Sequence, residues 1–224
     1  ILVNIGTGAF VLLPTDDPAQ RPEGLLAGIS LSNRDTAHYY IEGTVNGAAA
    51  AVKWAAEKFS VNDVELQLPG WLEVMQSPPL FINTVGGLGA PWWMPGPEPH
   101  FSDTDITPAA AMVAVIESIL FLIPANIDLL QQQNPQVDSI RISGGLSNLD
   151  GLCQKLANLS GLPVERPVQT EASARGIAWQ AAGCRLDWKN TEAVQSFSPQ
   201  TDAALAKRYS MFLEKLQRFS NKTQ

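Results

Sequence analysis

Cysteine and histidine are both scarce in this 224-residue sequence: two cysteines, Cys153 and Cys184, and two histidines, His38 and His100. The cysteines lie far apart and match no zinc spacing, so neither a disulfide framework nor a thiolate metal site is expected. They read as two small core residues of a reduced, cytoplasmic protein. Two histidines cannot build a zinc site unaided, and nothing near either one resembles a nucleophile elbow. Positive charge is scarce as well. Lys and Arg total 15 against 22 Asp and Glu, for a net charge of -7 and a pI near 4.8. An acidic surface repels phosphate backbones, which argues against a nucleic-acid partner but leaves room for a small basic pocket. The chain opens Ile1-Leu2-Val3-Asn4 with no cationic stretch before the apolar run, so no signal peptide is read there. A strand at the first residue suggests a piece of a longer protein. Only residues 109–130 approach membrane-spanning length. Glu117, Pro124, Asp128 and many small residues within them predict a helix buried on most sides and no membrane partner.

What is present is an ordinary globular composition, 45% hydrophobic and 17% charged, in a chain long enough to bury a core without staples. The first forty residues read as a meander: strands at 1–5, 9–13, 25–31 and 37–41, with Gly6-Thr7-Gly8 as one turn and Ser32-Asn33-Arg34-Asp35 as another. The period then changes. Residues 46–59 are alanine-rich with Val52, Ala55 and Phe59 at helical spacing, and a short helix at 64–67 ends by Pro69. A strand is expected at 80–85, a glycine loop at 86–91, and irregular chain across 92–105. Thr107-Pro108 starts the long helix, which Pro124 must kink. Strand 139–143, Gly144-Gly145, a helix from about Asn148 to Leu159 and its stop at Gly161 follow. A strand at 163–166, a helix at 170–182 capped by Thr170 and stopped by Gly183, a polar connection at 187–200 and a terminal amphipathic helix at 201–219 complete the chain. A meander followed by strand–helix units predicts an α/β domain with a mixed sheet.

The glycine motifs Gly6-Thr7-Gly8, Gly86-Gly87-Leu88-Gly89 and Gly144-Gly145 carry the chemistry. None is a P-loop or a dinucleotide fingerprint. In a hairpin turn, Gly6 and Gly8 at positive φ let backbone amides approach an anion, and Thr7 adds a hydroxyl donor. A glycine pair after a strand lets a nucleotide lie against the backbone, with the positive end of the next helix beside it. Each motif alone is equally a plain turn. Asp16 and Asp17 read as solvated loop residues, Glu42 and Glu117 as structural carboxylates, and Trp92 and Trp93 as cleft or packing residues.

The order of the motifs resembles the C-terminal domain of the FGGY family of carbohydrate kinases, within the actin-like ATPase superfamily. The matching stretches are Asn4-Ile5-Gly6-Thr7-Gly8-Ala9-Phe10, Glu42-Gly43-Thr44-Val45 running into Ala51-Val52-Lys53-Trp54, Gly87-Leu88-Gly89-Ala90-Pro91-Trp92-Trp93, Ser143-Gly144-Gly145-Leu146-Ser147-Asn148, and Glu171-Ala172-Ser173-Ala174-Arg175-Gly176-Ile177-Ala178. The resemblance implies an actin-like (ribonuclease H-like) domain with a mixed five-stranded sheet and helices on both faces. That domain would fill residues 1–190, with 191–224 a polar connection and a helix packed on it. It further implies ATP and Mg²⁺ as cofactors and transfer of the γ-phosphoryl to a sugar or polyol hydroxyl. Gly6, Thr7, Gly8, Lys53, Gly144, Gly145 and Asn148 would meet the nucleotide, and Phe10 would lie towards the polyol. The family's catalytic aspartate sits in a Gly-Asp-Gln type motif with no counterpart here, so the base and the sugar-binding domain are expected upstream of Ile1. Met94-Pro95 stands where glycerol kinases carry Asp-Pro, and Leu149 where a Ser or Asn is frequent. Those departures sustain a second reading, a catalytically degenerate nucleotide-binding module with a regulatory or assembly role. A homo-oligomer stays open.

Overall fold

The alternation that predicts strands also decides which side of the sheet is covered. In the computed structural model, which describes residues 1–17, 19–33, 35–169, 171–184 and 193–220, β1 (Leu2–Ile5), β2 (Ala9–Thr15), β3 (Leu26–Ser32) and β4 (Ala37–Val45) form the expected meander. Val3, Ile5, Ala9, Val11, Ile41 and Val45 all turn to one face and are buried, while Phe10 and His38 turn to the other. The sheet continues through β7 (Ile140–Ser143), β8 (Val164–Pro167) and β9 (Val194–Phe197) in the order β3-β4-β2-β1-β7-β8-β9. β1 pairs with β7 and β7 with β8 in parallel; the remaining neighbours are antiparallel. The mixed sheet is as expected, but it has seven strands rather than five. Part of the excess is β9, which falls inside the stretch read as a polar connection. Its Gln195 and Ser196 show no apolar run, and the strand forms because the free edge of β8 supplies a ladder.

Helices cover the inner face: α1 (Ala49–Phe59), α2 (Val64–Val74), α3 (Pro108–Leu122), α4 (Pro124–Gln133) and α5 (Asp150–Ser160). Thr107 caps α3 by accepting from the Ala110 amide, with Pro108 in the first turn. Residues 111–122 of α3 are buried without interruption, which accounts for the apolar stretch of near-spanning length. Pro124 does more than kink this helix. It separates α3 from α4 at Ile123, because proline has no N–H for the Leu120 carbonyl. Helix α2 is longer than expected and runs through Pro69, since Leu68 and Leu72, one turn apart, are both buried. Phe81–Ile82 (β5) and His100–Phe101 (β6) form a small separate ladder within chain expected to be a longer strand and an irregular loop. The rings of Phe81 and Phe101 meet at 4.6 Å there.

On the opposite face of the sheet, Arg141 of β7 shares a pocket with Ala172, Arg175, Gly176 and Trp179 of α6 (Ala172–Ala181), so helices do lie on both faces. The expected cap of that helix, Thr170, and the boundary at residue 190 lie outside the described residues. Helix α7 (Ala203–Ser220) lies against α3 and α5, with Leu205, Phe212 and Leu216 buried. Its Arg208 reaches Glu117 at the centre of α3.

Candidate functional site

The hairpin turn at Gly6-Thr7-Gly8 is held from two sides. The Gly6 amide donates to the Gly8 carbonyl at 2.9 Å. The Gly6 and Thr7 carbonyls accept from Ala49 and Ala50 at 3.1 and 3.2 Å. Those are the first amides of α1, which lacks a side-chain cap. The turn therefore docks onto the helix start and satisfies two donors there. The expectation of positive φ at Gly6 and Gly8 is corrected: neither takes the left-handed backbone. Gly8 packs closely instead: a Cβ there would lie 3.0 Å from the Val45 carbonyl oxygen.

In the second turn the two glycines do different work. Gly144 has φ +89°, and a Cβ on it would lie 2.6 Å from the Ile5 carbonyl oxygen. It lets β7 pass tightly beside β1. Gly145 has nothing within 4 Å of a would-be Cβ. Between β7 and α5 the chain makes a 3₁₀ turn, Gly145–Asn148, so the expected helix at Asn148 starts instead at Asp150. Ser147 knits the turn: its hydroxyl donates to the Gly144 carbonyl at 2.6 Å.

These two turns and the helices α1 and α2 enclose a pocket of about 550 Å³. Gly6, Lys53, Gly145 and Asn148 all line it, so four residues from three separate motifs meet. Gly144 is not among the lining residues. Thr7 and Gly8 stand at the adjoining turn, with Thr7 exposed. Phe10 is not brought in. It is 39% exposed on the face of β2 opposite α1–α5, because Ala9 and Val11 on either side occupy the core face. Lys53 is exposed on α1, 3.9 Å from Glu57. The far wall was missed from sequence: Val64, Glu65, Leu68 and Pro69 of α2. Its signal was the Leu68–Leu72 spacing continuing past Pro69.

The walls are chiefly aliphatic, from Val52, Ala56, Leu68, Leu146 and Leu149, with Lys53, Glu65 and Asn148 as polar points. That is the usual make-up of a small-molecule site, and the volume lies in the usual range. Among the described residues no group of three His, Cys, Asp or Glu side chains is placed to hold a metal ion. Glu117, read as structural, is buried and paired with Lys155 and Arg208. Cys153 is buried and Cys184 half-buried, both free. Burial pushes the Cys153 thiol up to about 11, against the opposing charge of Arg166, so it stays protonated and unreactive near neutrality. Trp93 is 46% exposed and donates its indole N–H to the Gly24 carbonyl at 2.7 Å, a packing contact across the loop.

Residues 1–183 match the C-terminal domain of the FGGY family of carbohydrate kinases. The chain belongs to that family. Relatives of this FGGY domain include glycerol kinase of Synechocystis sp., 28% identical over 198 residues, which is 84% of this chain and 40% of the relative. Glycerol kinase of Rhizobium meliloti is 31% identical over 221 residues, 90% of this chain and 44% of the relative. The FGGY domain thus spans less than half the length of the glycerol kinases it matches. Among solved structures, Plasmodium falciparum glycerol kinase with ADP superposes with a TM-score of 0.80 at 18% identity, covering 97% of this chain and 46% of that one. Gluconate kinase from Lactobacillus acidophilus gives 0.77 at 19% identity, covering 98% and 47%. At such identities the superpositions establish the fold, the actin-like α/β fold of these sugar kinases.

Proposed function

We propose that this chain is the nucleotide-binding half of an ATP-dependent carbohydrate or polyol kinase, and that the pocket between the two glycine turns, α1 and α2 is its nucleotide site. The observation that carries this reading is the meeting of Gly6, Lys53, Gly145 and Asn148 around one pocket. The family match and the ADP-bound glycerol kinase of the same fold support it. The pocket suits a nucleotide on its own terms: the open space at Gly145 lets a ligand lie against the backbone, and aliphatic walls suit a base. Bound ATP would supply the phosphoryl group. In this reading the Lys53 ammonium offsets phosphate charge, Asn148 donates to the nucleoside, and the Thr7 hydroxyl donates towards the phosphates. Gly8 and Gly144 keep the two turns close to their neighbours, and Phe10 faces the acceptor side. Mg²⁺ would arrive with the nucleotide and draw its ligands largely from phosphate and water, since this ion keeps several waters and few protein ligands.

The acceptor would be a sugar or polyol held by a domain outside this chain, which would also carry the general base. Residues 1–190 would form the nucleotide-binding domain and 191–224 a connection and a helix packed on it, in a cytoplasmic enzyme. The purified 224-residue chain should therefore bind Mg·ATP weakly, in about the high micromolar to millimolar range, since an open half-site leaves the phosphates hydrated. It should not phosphorylate glycerol or pentoses. Calorimetry tests both chain and variant. A Cβ at Gly145 meets no protein atom, so Gly145→Val should stay folded and lose nucleotide binding. Unchanged ATP affinity in Gly145→Val would sink the assignment. The second reading, a degenerate module, is favoured by Met94-Pro95 in place of Asp-Pro. Phosphoryl transfer by the intact protein would exclude it.

A further inference from the structure

We infer that Arg166 is a positioning residue for the pocket's 3₁₀ turn, holding it in place through a latch made by β9; the inference rests on the nucleotide reading of that pocket. Arg166 stands on β8 and lines no part of the pocket. Its guanidinium nevertheless reaches the turn from behind. Nη1 donates to the Ser147 carbonyl at 2.6 Å, and Nη2 donates to Asp150 Oδ1 at 2.6 Å and to Gln195 Oε1 at 2.5 Å. Its Cζ lies 5.4 Å from the centre of the Phe197 ring, and its side chain is only 13% exposed.

One planar group thus joins three elements: the turn, the first residue of α5, and β9. Ser147 itself is fully buried, and its carbonyl also accepts from the Cys153 thiol at 3.2 Å. A short 3₁₀ turn has weak internal hydrogen bonds, so external donors decide how firmly it stands. Gly145 and Asn148, the residues of this turn that line the pocket with Leu146, lie within two positions of Ser147. Loosening the turn lets both residues drift, and the ligand must then order them on binding. Gln195 and Phe197 lie beyond residue 183, where the family match ends. The latch therefore recruits a segment outside the matched domain to hold a wall inside it.

The fork geometry matters. A lysine at this place offers a point charge and cannot serve the carbonyl, Asp150 and Gln195 together. The test uses the intact protein with Mg·ATP as the probe. Affinity is read by calorimetry, and hydrogen exchange is read at the amides of residues 145–149. Arg166→Ala should weaken Mg·ATP binding about 10-fold, the scale of a lost charged hydrogen bond, and speed exchange in the turn. Arg166→Lys should fall between. Gln195→Ala, which leaves Arg166 and the turn intact, should weaken binding about 3-fold. Gly145→Val is the reference that reports on the pocket itself. If Gly145→Val loses ATP while folded Arg166→Ala binds it normally, the latch is refuted and the nucleotide reading stands. If Gly145→Val also binds normally, the nucleotide reading fails and takes the latch with it. Should Arg166→Ala fail to fold, unchanged affinity and unchanged exchange in Gln195→Ala refute the latch.

Discussion

Glu117 sits midway along α3 with 1% of its surface exposed, and its carboxylate is fully engaged. Oε1 accepts from Lys155 Nζ at 2.9 Å and from Arg208 Nη2 at 2.7 Å; Oε2 accepts from Arg208 Nε at 2.8 Å. Both cationic side chains are only 11% exposed. The triad ties α5 and α7 to the central helix. Glu117→Gln keeps the volume and removes the charge, leaving two cations beside an amide in a dry site. Removing one partner of a buried ion pair costs about 3–5 kcal/mol, because the charge left behind loses its compensation. In a chain of this size each kcal/mol moves the melting temperature by about 2–4 °C, so a fall of roughly 6–20 °C is expected. Circular dichroism melts at pH 7 measure it. Helix α7 should loosen first, read as earlier proteolysis within residues 203–220. The triple variant Glu117→Leu, Lys155→Met, Arg208→Met should regain most of the loss, since apolar side chains of similar size replace such clusters at little cost. A loss below about 1 kcal/mol in Glu117→Gln would refute the reasoning, as would a triple variant less stable than the single one.

Three further outcomes follow from particular contacts. Gly144→Ala combines a φ of +89° with a Cβ 2.6 Å from the Ile5 carbonyl oxygen, so it should lose about 2–4 kcal/mol in a denaturant titration. An alanine as stable as the parent would contradict that packing. Burial pushes the Cys153 thiol from 9.0 up to about 11, and burial followed by the charge of Asp128 pushes the Tyr209 phenol from 10.0 up to about 12. Both acids hold their protons more tightly when folded, so their effect is absent below about pH 8 and stability falls as pH rises from about 9 towards 12. Melting temperatures from pH 7.5 to 10.5 should decline at the alkaline end, less steeply in Cys153→Ala; an identical slope would count against the thiol's part. Thr107→Ala removes the oxygen that accepts from Ala110 and should destabilise by about 1 kcal/mol, while Thr107→Ser should not.

Features that depend on a few neighbouring residues were legible in the sequence. Thr107-Pro108 starts α3, Gly161 ends α5 in the left-handed conformation, and the period-two pattern of the first forty residues gives the meander. The order of the glycine turns and the stretches between them already carries the resemblance to the family. Four of the anticipated nucleotide residues share a pocket, because turns at the ends of adjacent parallel strands β1 and β7 must open on the same edge of the sheet.

Local signals therefore place the turns, the start of α3 and the stop of α5. Long-range packing set the rest. Pro69 reads locally as a helix end, yet α2 passes through it, because burying Leu68 and Leu72 outweighs one missing hydrogen bond. The stretch holding β9 reads as polar connection, yet it becomes a strand on the edge of β8, where Gln195 finds the Arg166 guanidinium. Each of these outcomes depends on partners far away in the chain, whose contact energies no local window contains.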